Sequence, residues 1–86
     1  MKIIFSTHSE DQNKIRKIPI ARIKQTLQKP EKLIESFRGR NLYQKSFGSK
    51  MLEVVAKIEG GKIVVITQYY LKKWKLNTTK RPTLLT

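Results

Sequence analysis

Apolar residues recur at helical spacing in the first third of this chain, and from Arg40 onward they alternate with polar ones. The first residues stand apart from both patterns. Lys2 to Phe5 carries Ile3-Ile4-Phe5 and reads as a short strand. It stops at a helix-start signature, Thr7-x-x-Glu10. In such a capping box the threonine oxygen accepts from a free backbone N–H while Glu10 reaches back to the cap's own N–H, which makes His8 the first helical residue. The helix is expected to run to about Lys17, at the surface of the core, because Ile15 and Ile18 are its only large apolar residues. Pro19 opens a second helix, where its missing donor costs least. Ile20, Ile23 and Leu27 line one side of that helix, with Arg22, Lys24, Gln25 and Gln28 around them.

Pro30 marks a further break, and Glu31 to Ser36 fits either a helical turn or an extended connector. Three strands are then predicted, at Arg40–Phe47, Met51–Glu59 and Lys62–Leu71. Gly48-Ser49 and Gly60-Gly61 separate them, and a Gly-Gly pair between apolar runs signals a tight hairpin, since its central positions need positive φ. Leu52, Val54, Ala56 and Ile58 alternate with Glu53, Val55, Lys57 and Glu59, so one face of that strand should be buried. Ile63-Val64-Val65-Ile66 is apolar on both faces, as in an interior strand. The fold class implied is α+β: an N-terminal short strand and two helices packed on a small antiparallel sheet. Residues 1–71 form the single domain and 72–86 a basic C-terminal tail.

Charge adds what the pattern does not. Nineteen Lys and Arg face six Asp and Glu, a formal net charge of +13 in 86 residues. Self-repulsion at that density costs stability, and a polyanionic partner offsets it. The basic residues are spread through helices, strands and tail, so the folded domain itself carries the positive field. Nucleic acid, an anionic membrane surface and an acidic protein all match this balance; a merely solubilising surface is the alternative. The chain has no cysteine, so no disulfide or thiolate-bound metal can staple it. Met1 to Phe5 is too short an apolar run for a signal-peptide core or a membrane span. A cytoplasmic protein, not a membrane one, is expected.

Few residues invite chemistry. With one histidine and no ligand spacing among Glu10, Asp11, Glu31, Glu35, Glu53 and Glu59, neither a metal nor another cofactor is implied. His8 is the side chain that titrates nearest neutrality, and a helix N-terminus disfavours its charged form, leaving it fit to accept a proton. The alternative is a histidine that completes the helix start or bonds to the sheet. Arg38-Gly39-Arg40 can cradle a phosphate, or be a solvated loop. Tyr43 and Lys45 share a strand face, while Tyr69 and Tyr70 point to opposite faces. Such residues either stack bases and pair phosphates or serve as packing. Lys72, Lys73, Trp74 and Lys75 are the best sequence hint of nucleic-acid binding, against a tryptophan that folds back on the core.

Several of these segments, in order, resemble one family. Phe5-Ser6-x-His8, Arg16-x-Ile18, Leu27-x-x-Pro30-Glu31, an arginine-bearing strand and Ile63-Val64-Val65-Ile66-Thr67-x-Tyr69 are similar to domain-of-unknown-function family 4258 over about residues 3 to 71. Lys17 stands where that family often has glycine, and Gln12 where it often has arginine. The family looks related to the RelE/ParE-like toxin superfamily, whose members include ribosome-dependent or free ribonucleases and gyrase inhibitors. The resemblance implies an RNA-binding, toxin-like protein, with metal-independent endoribonuclease activity of the mRNA-interferase type as its reaction. RNA, also when ribosome-bound, and an acidic antitoxin would be its partners. His8 would then act as base or acid, Arg38, Arg40 and Lys45 as charge stabilisers, and Tyr43 or Tyr69 as orienting or acidic groups. A non-catalytic module that binds nucleic acid or an acidic partner is the alternative.

Overall fold

The computed structural model describes residues 2–72. Strand β1 (Lys2–Phe5) is followed by helices α1 (Thr7–Arg16) and α2 (Ile20–Gln28), then by β2 (Lys32–Glu35), β3 (Arg40–Phe47), β4 (Lys50–Glu59) and β5 (Lys62–Lys72). A single 3-10 turn, Phe37–Gly39, joins β2 to β3. The five strands form one sheet in the order β1-β5-β4-β3-β2. The α+β class is as expected. Its sheet is mixed, because β2 to β5 make an antiparallel meander and β1 lies parallel to β5, with Lys2 opposite Lys62 and Phe5 opposite Val65. A parallel pair needs a long crossover connection, and here the rest of the domain supplies it.

The helix start is displaced by one residue from the expected capping box. Ser6, not Thr7, is the N-cap: its Oγ accepts from the Ser9 N–H at 3.1 Å. The sheet decides this, since the Ser6 N–H still donates to the Val65 carbonyl at 3.0 Å, so the chain leaves β1 only after Ser6. At the other end Lys17 adopts φ 53, ψ 43, the left-handed C-cap conformation that glycine takes without strain. The Asn13 side chain pins this turn. Its Oδ1 accepts from the Ile18 N–H at 3.1 Å and its Nδ2 donates to the Ile18 carbonyl at 2.9 Å. Ile18 thereby turns into the core while Ile15, expected beside it, stays 78% exposed.

The two helices dock differently. α2 buries Ile23, Thr26 and Leu27, and leaves Ile20 outside. α1 buries only Ser9, whose Oγ donates to Gln68 Oε1 at 2.6 Å while Gln68 Nε2 donates to the Ser9 carbonyl at 3.1 Å. Gln68 is wholly buried, so this pair fastens α1 to β5 by polar contact in place of an apolar stripe. Under α2, Leu52, Val54 and Ala56 are fully covered, joined by Tyr43 and Val65. Ile58, the fourth residue of that alternation, is exposed near the Gly60-Gly61 turn. Both glycines there have positive φ, 57 and 73, as the tight turn requires. Glu31 to Ser36 resolves into the edge strand β2.

β5 contains a register shift. Val55 faces Thr67 and Ala56 faces Val65, so Ile66 is the extra residue of a bulge. The parity of inward and outward positions reverses across it: Val65 lies on the helix side, yet so do Gln68 and Tyr70, while Tyr69 points to the opposite side, left uncovered by the described helices. β5 also continues through Lys72, one residue into the expected basic tail.

Candidate nucleic-acid interface

At one end of the helix-covered face, basic and aromatic side chains from four elements meet. Phe47 ends β3 and opposes Lys50 at the start of β4; one pair further along, Leu52 of β4 opposes Tyr70 of β5. Phe47 and Tyr70 are both partly buried against the core. Arg22 of α2, next to buried Ile23, reaches over them. Its Nη1 donates to the Tyr70 hydroxyl at 2.8 Å and its guanidinium carbon lies 5.0 Å from the Phe47 ring centroid. Lys50 Nζ stands 5.3 Å from the Tyr70 centroid. Lys45, two residues before Phe47 on the same face of β3, donates to the Lys29 carbonyl just past α2 at 3.2 Å.

None of these cations takes part in the two ion pairs between described residues, Lys14–Asp11 and Lys57–Glu59. Their charge is thus turned toward solvent and toward rings that attract it. Such a surface can hold phosphates by charge-assisted bonds, and the Arg22 guanidinium plane over Phe47 can stack a base. The strand that ends it, β5, places Lys72 opposite Lys50 and leads in sequence into Lys73-Trp74-Lys75. Lys73, Trp74 and Lys75 lie outside the described residues.

The six residues expected to carry chemistry do not converge. Arg38 and Arg40 do come together, in a shallow cleft of about 420 Å³ lined by Ser36, Phe37, Arg38, Arg40 and Val55. Arg38 has φ 60 and Gly39 φ 73, so the chain reverses there through two left-handed residues. Tyr43 is in the core, 6% exposed, and Lys45 sits on the same helix-covered face, beside Lys29. His8 is exposed in the first turn of α1, over the β5 side of the sheet, whereas the arginine cleft is at the β2–β3 side. Tyr69 lies on the uncovered face.

There Tyr69 belongs to a row that crosses three strands. Gln44 Nε2 donates to Glu53 Oε1 at 2.6 Å, and the Tyr69 hydroxyl donates to Glu53 Oε2. Gln44 and Glu53 are each 7% exposed. Arg16 reaches this row past the end of β1: its Nη1 donates to Thr67 Oγ1 at 3.3 Å and the Gln68 carbonyl at 3.0 Å, and its guanidinium lies 5.9 Å from the Tyr69 centroid. Burial first, then the bond to Glu53 and its charge, push the Tyr69 phenol up to about 12, with Arg16 acting the other way. Tyr69 is therefore a weaker acid than a free phenol, and its proton is already engaged.

Sequence reasoning missed Arg22, Phe47 and Lys50, and the Gln44–Glu53 pair. A signal existed for part of this. Residues equidistant from the Gly48-Ser49 turn face each other, which sets Phe47 against Lys50 and Gln44 against Glu53 once the hairpin is granted. Nothing comparable pointed to Arg22. The chain matches no family model, no curated protein and no solved structure.

Proposed function

We propose that this chain is a cytoplasmic RNA-binding protein of toxin-like build, which holds single-stranded RNA on the patch of Arg22, Lys45, Phe47, Lys50 and Tyr70. One observation carries the reading: Arg22 bridges the Tyr70 hydroxyl and the Phe47 ring, Lys50 covers Tyr70, and neither cation is in an ion pair among the described residues. The net charge of +13 supports it. The test is titration of a labelled single-stranded RNA at near-physiological salt, in EDTA, against the double variant Arg22→Ala, Lys50→Gln. Binding should weaken by about tenfold or more in the variant. Its log affinity should also fall less steeply with log salt, by about 0.7 per lost phosphate contact. Wild-type protein that binds no RNA sinks the reading.

A second reading, a metal-independent endoribonuclease of a toxin–antitoxin pair, is favoured by Arg38 and Arg40 sharing one cleft. Cleavage would proceed by attack of the ribose 2′-oxygen on phosphorus. A base takes the 2′ proton, the guanidiniums hold the crowded phosphate, and an acid protonates the departing 5′-oxygen. His8 is the side chain for the base, and it would have to be brought to the RNA from the α1 side. Cyclic-phosphate products that vanish in His8→Ala and Arg38→Ala would establish this reading; RNA retained intact leaves the binding module, for which an acidic antitoxin is the competing ligand.

A further inference from the structure

The tip between β2 and β3 presents a side chain with no structural task. Phe37 is 74% exposed and stands outside the core and its satellite residues. The loop that carries it is closed, since the Ser36 N–H donates to the Arg40 carbonyl at 2.7 Å and the Arg40 N–H donates to the Phe37 carbonyl. Arg38 keeps a left-handed backbone that a non-glycine residue adopts only at some cost. Its guanidinium lies over one face of the Phe37 ring, 5.5 Å from the centroid. At 74% exposure, most of the ring beyond that contact is left to solvent. Phe37, Arg38 and Arg40 line one cleft, with Val55 of the uncovered sheet face among its walls.

We propose that this tip is a base-stacking subsite: an unpaired nucleobase lies on the exposed part of the Phe37 ring, and Arg38 and Arg40 bind the phosphates on either side of it. The base would extend a stack that the guanidinium already begins, which is how sequence-tolerant single-strand binders engage bases. A lipid surface would meet one ring among Ser36, Arg38, Gly39 and Arg40, too little apolar area to anchor it. The proposal rests on the single-stranded RNA reading above and adds a second contact point. Arg40 and Phe47 bound β3, roughly 23 Å apart at about 3.3 Å per residue. Two such sites on one strand of RNA reinforce each other through effective concentration.

The experiment uses the full chain and a single-stranded RNA bearing a fluorescent adenine analogue, with Phe37→Ala, Phe37→Trp and Arg22→Ala, Lys50→Gln variants. Wild type should change the analogue's emission on binding. Phe37→Ala should lose that change and about tenfold in affinity, Phe37→Trp should restore both, and the affinity gap should disappear on an abasic strand. RNA that binds in an Arg22- and Lys50-dependent way but is indifferent to Phe37→Ala overturns the subsite and leaves the function standing. No binding by wild type overturns both. Phosphatidylserine vesicles captured through Phe37, with RNA affinity unchanged, would reassign the tip to a membrane and overturn the proposal.

Discussion

The two faces of β4 are built from alternate residues of one strand, yet they are stabilised in different ways. On the helix side Leu52, Val54 and Ala56 are fully buried under α2. On the other side neither described helix lies over the sheet, and Glu53 is nonetheless 7% exposed. It is covered by its own neighbours. Gln44 and Tyr69 arch over it from β3 and β5 and donate to its two oxygens, and Arg16 lies against Tyr69. The first face is held by area removed from water, which tolerates no cavity; the second by a polar row in which every buried atom has a partner. Long side chains in register on three adjacent strands thus contribute to burying a carboxylate and satisfy both of its oxygens.

The largest effect expected from this contrast is on the helix side. Ile23→Ala should cost about 2–5 kcal/mol in chemical denaturation, because the space it leaves between α2 and the sheet cannot close. Next comes the row itself. Glu53→Leu leaves the Gln44 amide and the Tyr69 hydroxyl without their acceptor, and a loss of about 1–3 kcal/mol is expected. A loss below about 0.5 kcal/mol, the scale of a plain surface change, would show that the row is only decoration.

A smaller change sharpens the difference within the helix layer, where α1 is fixed by Ser9, Gln68 and Asn13. Lys17→Gly should stabilise the domain by about 1 kcal/mol, since glycine takes the φ 53 cap without strain; a destabilised variant would mean the Lys17 side chain does more than turn the chain. The smallest effect at neutral pH is the titration of Tyr69. Its folded-state pKa is raised from 10.0 to about 12. Its contribution is thus fully present below pH 10 and is lost as the pH rises toward 12. Tyrosinate absorbance should show one late-titrating phenol that is missing in Tyr69→Phe, and the stability gap between the two proteins should narrow over that window.

Much of this architecture was legible residue by residue. The β-rich start, the break at Pro19, the Arg40–Phe47 strand and the Gly60-Gly61 hairpin follow from local preference and period, because each is decided within a few residues of the chain. The candidate site was less so. Arg38 and Arg40 are near in sequence and stay near in space. The patch around Tyr70 joins residues 22, 47, 50 and 70, which no local rule relates.

What the sequence determined by itself was the set of elements apart from β2, the alternation of β4 and the excess of positive charge, all properties of short stretches or of sums. The tertiary structure alone decided where those elements lie. Pairing with Val65 held Ser6 in extended backbone and moved the helix cap. The bulge at Ile66 reversed the faces of β5, sending Tyr69 to the uncovered side and Tyr70 to Arg22. α1 docked through Ser9 onto Gln68, in place of the thin apolar stripe of Ile15 and Ile18. The bulge is set against Val55 and Ala56, about ten residues away, but the cap, the α1 docking and the Arg22–Tyr70 bond depend on partners about 50 to 60 residues distant, and the free energy of such contacts exists only once the sheet has closed.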